Sequence, residues 1–220
     1  ASARRLFFGW RDGVGASMNK PTIYPLFSAP IYINNVGDFP RPNIKALEYS
    51  RGPYPFQSSA DKNVLDRADF AATRAVVLKE IELYAREVLR VSKNVEFYLT
   101  NSWVNIYQPG ESAGPHIHHN SLISGVLYLK VTESSGALVF HRDIYSVIPC
   151  PPALDLDMDS FNLYNCKSWG HKPKVNDIGL FPSMVMHSAD PNESGEERWC
   201  LAFNVFARGN IGVDHKLTIR

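Results

Sequence analysis

The sequence predicts a mainly β fold with a helical cap, in the α+β class. Its 220 residues, with 45% hydrophobic and 20% charged side chains, suit one domain with a full-sized core. One stretch has apolar residues at a helical period. Many short β-like runs separated by turns follow that stretch, which is typical of an antiparallel sandwich or barrel.

At the N-terminus, residues 1–17 precede Met18, and we interpret them as a leader or tag. Residues 18–220 are expected to form the single domain. Within it, residues 22–34 alternate aromatic and β-branched side chains between prolines, which predicts an edge strand. Residues 36–62 are rich in Pro, Gly, Ser and charged side chains, and they predict an irregular connection.

The next predicted element is a long helix, the helical cap, over about 66–92. Its apolar residues recur at steps of three, four and seven positions, and most charged residues lie between them. The residues of this apolar face are Phe70, Val77, Ile81, Tyr84, Val88 and Leu89. We expect the helix to pack against a sheet and to have no chemistry of its own.

The β core is predicted over about 96–207. No internal repeat or low-complexity tract interrupts it. Strands are expected at residues 96–107, 121–131, 136–141, 160–164, 175–181 and 198–207, with a last short strand at 217–219.

Charge and cysteine content restrict the class of partner and the compartment. The formal net charge of +1, without a clustered basic stripe, disfavours nucleic acid as a partner. No apolar run approaches the roughly 20 residues needed to cross a bilayer, so no membrane partner is expected. Cys150, Cys166 and Cys200 are odd in number and widely spaced, which fits reduced thiols in a cytoplasmic protein.

A histidine cluster lies between two β-like runs, just beyond a Pro-Gly turn. His116 and His118 are two residues apart, so on a strand both side chains would project from the same face. Two imidazoles on one face form half of a transition-metal site. His119 would face away, and we interpret it as a surface or ligand-supporting residue.

A third ligand must come from elsewhere in the chain, and His187 is the best candidate. It follows a β-like run and a turn, and it precedes a polar loop. Arg198 stands at the start of the β-like run after that loop. The isolated arginine at a strand start favours a ligand role for His187 over a purely structural one.

With this arrangement the sequence resembles the 2-oxoglutarate- and Fe(II)-dependent oxygenases. Members of that superfamily hold iron on a double-stranded β-helix, through a His-x-Asp/Glu pair and a distal histidine. A basic residue further along the chain binds the cosubstrate. In this chain His116-Ile117-His118 resembles the first pair, His187 the distal histidine and Arg198 the basic residue.

The resemblance extends to the strands on either side of the cluster. Asn105 and Tyr107 begin NIYQPG, which is similar to the Asn-x-Tyr-x-Pro-Gly strand of the alkylated-nucleic-acid demethylases in that superfamily. The similarity implies that both side chains contact 2-oxoglutarate. Arg198-Trp199-Cys200 resembles the family's Arg-x-Ser/Asn, with Cys200 as a departure. Asn204 shares the face of Arg198 by two-residue alternation and is expected near the cosubstrate.

A narrower group is similar from Thr22 to the C-terminus: the 2-oxoglutarate–Fe(II) oxygenases of uncharacterised role from marine bacteria and tailed phages. The shared pattern looks like SWxNxYxxG, HxHxxSxxSGVxYL, LFPSxxxHSxxP and RxxxxFN. This group also has a histidine at the position of His118, where the wider superfamily normally has a carboxylate. Three neutral imidazoles leave Fe(II) with two positive charges, whereas two imidazoles and a carboxylate leave one.

The resemblance implies a jelly-roll or cupin-like double-stranded β-helix core with the long helix packed on it. It implies Fe(II) held by His116, His118 and His187, with 2-oxoglutarate and O2 at the open positions. The implied activity couples oxidative decarboxylation of 2-oxoglutarate to oxidation of an unknown small-molecule or peptidyl substrate. The edge strand at 22–34 is compatible with a homodimer.

Two other functions stay open. A three-histidine dioxygenase would use O2 without 2-oxoglutarate, and a cupin-like module would bind a metal or small ligand without catalysis. Succinate formation from 2-oxoglutarate by the Fe(II)-loaded protein distinguishes the leading hypothesis from both.

Overall fold

Two antiparallel β-sheets form the core of the molecule. The computed structural model describes residues 22–142, 157–212 and 217–219. Its strands, numbered in chain order, are β1 (Tyr32–Asn35), β2 (Tyr49–Ser50), β3 (Gln57–Ser59), β4 (Val95–Tyr107), β5 (Ala113–His116), β6 (Ile123–Lys130), β7 (Leu138–His141), β8 (Ser168–His171), β9 (Asp177–Pro182), β10 (His187–Ala189), β11 (Arg198–Ile211) and β12 (Leu217–Ile219).

The chain alternates between the two sheets. The larger sheet has the order β1-β9-β6-β11-β4-β3-β2, and β12 pairs with β11; the smaller sheet has the order β5-β10-β7-β8. All pairings within the two sheets are antiparallel. The long strands β4 and β11 pair from Arg198 opposite Tyr107 to Gly209 opposite Val95. This alternation is the predicted double-stranded β-helix.

The two sheets pack face to face through a shared apolar cluster. Its buried members are Phe56, Tyr107, Ala113, Tyr128, Leu138, Phe140, Phe181 and Cys200. Tyr128 and Cys200 come from the larger sheet, and Leu138 and Phe140 come from the smaller one. Full burial of one such Leu or Phe side chain contributes about 1.5 to 3 kcal/mol to folding, so this cluster holds the sheets together.

The predicted helix is confirmed and lies on the opposite face of the larger sheet. An α-helix, α1, spans Ala71–Leu83, and a π-helical turn continues it over Tyr84–Val88. Of the predicted apolar face, Phe70, Val77, Ile81 and Tyr84 are at most 1% exposed and pack against the larger sheet. No helix in the described ranges is long and apolar enough to cross a membrane.

Val88 departs from the predicted apolar face, because it is 43% exposed. The π-helical turn has more residues per turn than an α-helix, so residues after Tyr84 no longer follow the α-helical period. Of the six residues predicted to form the apolar face, Val88 is therefore the one that was predicted wrongly. Leu89 still packs against the core.

The predicted edge strand is shorter than expected. Only Tyr32–Asn35 is a strand, and it pairs on one side, with β9. Proline cannot donate to a ladder, and the prolines within 22–31 keep that part outside the sheet. Tyr32 Oη and Asn34 Nδ2 both donate to Glu80 Oε2, at 2.7 and 2.9 Å, which ties β1 to α1.

The strand predicted at 160–164 is wrong. This segment is a turn, in which Asn162 Oδ1 accepts from the Tyr164 backbone N–H (2.8 Å) and Asn165 Oδ1 accepts from the Asn162 backbone N–H (2.7 Å). Asparagine side chains that bond to nearby backbone compete with strand pairing. The strand of this region is instead β8. The short strands β2, β3, β5 and β10 were not predicted from the sequence.

Candidate metal centre

Two short strands of the smaller sheet, and the segment that follows one of them, bring three imidazoles together. His116 ends β5 and pairs with His187, which begins β10. His118 lies beyond the end of β5, and its backbone N–H donates to Ser183 O at 3.0 Å. The ligand nitrogens of these three histidines all lie within 4.8 Å of one another. The structure thus brings the three predicted metal ligands together, although His116 and His118 do not share a strand.

The spacing of the nitrogen atoms suits a single ion. His118 Nε2 and His187 Nε2 are 3.2 Å apart. Two nitrogens that each bind an ion at about 2.1 Å are roughly 3.0 to 3.4 Å apart in octahedral or tetrahedral geometry. His118 and His187 therefore hold their Nε2 atoms at a distance that a transition-metal ion requires.

Hydrogen bonds to backbone carbonyls orient two of the rings. His116 Nδ1 lies 2.8 Å from Gly114 O, and His187 Nδ1 lies 2.9 Å from Val185 O. A carbonyl oxygen only accepts, so Nδ1 must carry the proton in both rings. The Nε2 atom of each neutral ring is then left with its lone pair free, as metal coordination requires.

Burial favours the neutral form of the His118 and His187 rings. Burial lowers the pKa of His187 to about 3. Burial, together with the nearby His116, lowers the pKa of His118 to about 4. Both imidazoles are therefore neutral at pH 7, which is the state that binds a metal ion.

Arg198 lies at the inner end of the same cavity. It begins β11, is 2% exposed, and lines the cavity together with the three histidines. Its Nη1 donates to Ser135 O (2.6 Å) and to Asp190 O (3.0 Å), whereas its Nη2 has no hydrogen-bond partner. A buried guanidinium nitrogen without a partner is costly, so this atom marks a place for an acceptor of a bound ligand.

Asn105 and Tyr107 lie beside Arg198, on the adjacent strand β4. Both line the cavity and are less than 8% exposed. The Tyr107 ring packs against the guanidinium, and Asn105 Oδ1 is a second buried polar atom without a partner. Burial raises the pKa of Tyr107 well above its ordinary value, which keeps the phenol protonated.

Tyr128 and Cys200 complete the inner wall, and both line the cavity. They pair across β6 and β11. Burial raises the pKa of the Cys200 thiol to about 11, so it is a neutral group in this wall. Cys200 lies two residues after Arg198 on β11. Tyr128, which pairs with Cys200, therefore lies at the Arg198 end of the cavity.

Asn204 lies outside the group that lines the cavity. Its Oδ1 accepts from Ser124 Oγ at 2.9 Å, and Ser124 Oγ is 2.8 Å from Ser183 Oγ. This hydroxyl network links β11, β6 and the end of β9. A contact between Asn204 and the cosubstrate stays a prediction.

Trp103 also lines the cavity, although it was not predicted from the sequence as a site residue. It lies on β4 in the same alternation as Asn105 and Tyr107, and its ring centroid is 6.0 Å from that of His118. That alternation was the available signal for it. His119, in contrast, is exposed, as predicted for the spare histidine.

Residues 101–204 match a protein-family model described as "Putative 2OG-Fe(II) oxygenase", where 2OG is 2-oxoglutarate. The matched region contains the three histidines, Arg198, Asn105, Tyr107 and Asn204. No curated protein matches the chain in sequence.

Solved structures with the same fold are distant in sequence. One is an oxidoreductase of the 2OG-Fe(II) oxygenase family from Burkholderia pseudomallei (11% identity, TM-score 0.50, covering 73% of this chain and 72% of that one). A second is HygX from Streptomyces hygroscopicus, with nickel, 2-oxoglutarate and hygromycin B bound (12%, 0.50, 74% and 74%). A third is the non-heme α-ketoglutarate-dependent epimerase SnoN from nogalamycin biosynthesis (13%, 0.51, 76% and 69%). Residues 101–204 are therefore similar in sequence to the 2OG-Fe(II) oxygenases, and the chain shares the double-stranded β-helix fold of these solved structures.

Proposed function

We propose that the protein is an Fe(II)- and 2-oxoglutarate-dependent dioxygenase that couples oxidative decarboxylation of 2-oxoglutarate to the oxidation of a small-molecule or peptidyl substrate. The similarity of residues 101–204 to 2OG-Fe(II) oxygenases and the three-histidine cluster support this function. Iron with 2-oxoglutarate and O2 supplies the oxidising chemistry, in which succinate and CO2 are formed.

The observation that carries the proposal is the unpartnered Nη2 of Arg198 in the cavity that the three histidines line. A carboxylate at this nitrogen would satisfy the buried guanidinium in a charge-assisted hydrogen bond. 2-Oxoglutarate has one carboxylate for such a contact and an oxo-acid group that can bind a metal ion. The donor set at the two ends of the cavity therefore fits the two ends of this molecule.

Each side chain has a distinct task in this proposal. His116, His118 and His187 hold the metal ion through Nε2. Arg198 binds the distal carboxylate and fixes the orientation of the cosubstrate. The apolar cluster between the sheets shields the buried Arg198 end of the cavity from water, which strengthens the ionic contact there.

The test is succinate formation from 2-oxoglutarate by the Fe(II)-loaded protein under air. Arg198→Ala should reduce the rate at least about a hundredfold, as the loss of a buried charged contact of about 3 kcal/mol implies. Arg208→Ala is the matched control, because Arg208 lies on β11 like Arg198 but forms an exposed ion pair with Glu96 of β4. It should leave the rate unchanged.

The same assay separates the alternatives. O2 consumption that needs no 2-oxoglutarate and survives Arg198→Ala would favour a three-histidine dioxygenase. Tight Fe(II) binding without turnover of any added compound would favour a cupin-like binding module. Either result would overturn the proposed function.

A further inference from the structure

The metal end of the cavity has no negatively charged ligand. His116, His118 and His187 are all imidazoles, which bind metal ions in their neutral form. A divalent ion held by these three side chains keeps both of its positive charges. A carboxylate in place of His118 would leave one.

The inner end of the cavity adds a third positive charge. The hydrogen bonds of the Arg198 guanidinium go to the carbonyl oxygens of Ser135 and Asp190, which have no formal charge. 2-Oxoglutarate has two negative charges, one for Arg198 and one for the metal ion. One positive charge at the metal end is then left without a counter-charge.

Among the described residues that line the cavity, no side chain supplies that counter-charge. The described residues that line the cavity include no aspartate and no glutamate. Two acidic residues of neighbouring strands are engaged elsewhere. Asp177 Oδ2 lies 3.0 Å from His171 Nε2, and Glu197 accepts from Gln108 and Trp199.

We propose that the substrate carries an acidic group, a carboxylate or a phosphate, whose negative charge lies beside the metal ion when 2-oxoglutarate is bound. This inference rests on the proposed function. The metal end opens towards solvent at His116, which is exposed, so a substrate can reach it. An unbalanced positive charge there attracts an anion, and an acidic group of the substrate supplies one. The same positive charge at the metal end disfavours cationic substrates.

The test uses azide as a small monoanionic probe of the protein loaded with Co(II) and saturated with 2-oxoglutarate. Azide binding is followed by the visible absorption of Co(II). His118→Asp introduces a carboxylate ligand, whose negative charge removes the excess positive charge at the metal ion. His119→Asp is the matched control, because it adds the same charge on the neighbouring, exposed side chain.

We expect wild type and His119→Asp to bind azide with dissociation constants within about twofold of each other. His118→Asp should bind it at least about tenfold more weakly, a difference of about 1.4 kcal/mol. Equal azide affinity in wild type and in a His118→Asp protein that retains Co(II) and 2-oxoglutarate would overturn the inference. Failure of the wild-type complex to bind azide would overturn it too.

If the His118→Asp protein does not bind Co(II), a second experiment on the wild-type protein tests the inference. Acetate should perturb the Co(II) spectrum at concentrations at least about tenfold lower than its neutral isostere acetamide. Equal effects of the two compounds would contradict the inference. A failure of the proposed function looks different, because the Co(II) spectrum would then not respond to 2-oxoglutarate at all.

Discussion

Arg198 and Tyr107 face each other across the β4–β11 ladder, and the guanidinium carbon of Arg198 lies 4.1 Å from the centroid of the Tyr107 ring. Two backbone carbonyls hold Nη1, and the aromatic ring covers the flat face of the group. The remaining nitrogen, Nη2, is thereby fixed in one direction without a partner. The arginine is pre-organised for an acceptor before any ligand arrives.

The first prediction concerns this ring. Tyr107→Leu should weaken 2-oxoglutarate binding by about 2- to 30-fold, because a cation–π contact is worth about 0.5 to 2 kcal/mol. Calorimetric titration of 2-oxoglutarate into the Ni(II)-loaded protein measures the change.

Tyr107→Phe is the matched variant, since it keeps the ring and removes only the hydroxyl. We expect its loss of affinity to be smaller than that of Tyr107→Leu. Equal losses in the two variants would mean that the hydroxyl, and not the ring over Arg198, carries the effect.

The second prediction concerns metal-linked stability. Ni(II) at a free concentration of 100 times its dissociation constant should stabilise the wild-type protein by about 2.7 kcal/mol and raise its Tm. His187→Gln should lose most of this stabilisation, because it removes the buried ligand of the cluster. Thermal unfolding with and without Ni(II) measures both.

His119→Gln is the control for this experiment. Its side chain is exposed and is not one of the clustered ligands, so the shift in Tm should match that of the wild type. Loss of the shift in His119→Gln, with retention in a His118→Gln protein, would show that the wrong histidine of the HIHH segment has been assigned to the metal.

The sequence was enough to predict the antiparallel core, the helix and the side chains that meet in the cavity. For Asn105 and Tyr107 the reason is that alternation along a strand is a local property of the chain. His116 and His118 meet in the cavity although His118 lies beyond the end of β5. Arg198 was predicted at a strand start, and the structure has it as the first residue of β11. Tyr107, whose ring packs against the Arg198 guanidinium, was predicted only through the resemblance of NIYQPG to a known strand.

Features that depend on contacts between distant segments could not be predicted. His118 is held by the carbonyl of Ser183, which no local pattern near His118 indicates. Asn204 lies on the predicted face, yet Ser124 engages its carboxamide. The partnerless Nη2 of Arg198 also follows from tertiary packing, because Ser135 and Asp190 occupy only the other side of the group.

The third prediction is a pH dependence of stability in the metal-free protein. The folded-state pKa of His118 is about 4 and that of His187 about 3, both below the ordinary value of 6.5. The unfolded chain therefore takes up protons first as the pH falls below about 6.5. Stability from this source is complete above pH 6.5 and decreases as the pH falls towards 4.

Urea unfolding in the presence of a chelator, at several pH values, measures this dependence. His187→Gln removes one of the two titrating groups, so its free energy of unfolding should fall less steeply between pH 6.5 and 4 than that of the wild type. Parallel curves for the two proteins would contradict the assignment of a lowered pKa to His187.

The fourth prediction concerns Gly125, in the wall of the cavity. A Cβ atom at this position would lie 2.7 Å from Leu180 Cδ2 and would overlap the ring of Phe203, which is fully buried. Gly125→Ala should therefore reduce the free energy of unfolding by about 1 to 3 kcal/mol, the usual cost of overpacking a core. Urea denaturation at neutral pH measures this loss.

Gly195→Ala separates this packing effect from the general effect of adding a methyl group. No atom lies within 4 Å of a Cβ at Gly195, so this variant should stay within about 0.5 kcal/mol of the wild type. Phe203→Leu provides the second comparison, because it removes the ring that the new methyl meets. If steric overlap causes the loss, Gly125→Ala should cost less in the Phe203→Leu background than in the wild type, and strict additivity would show that another contact is responsible.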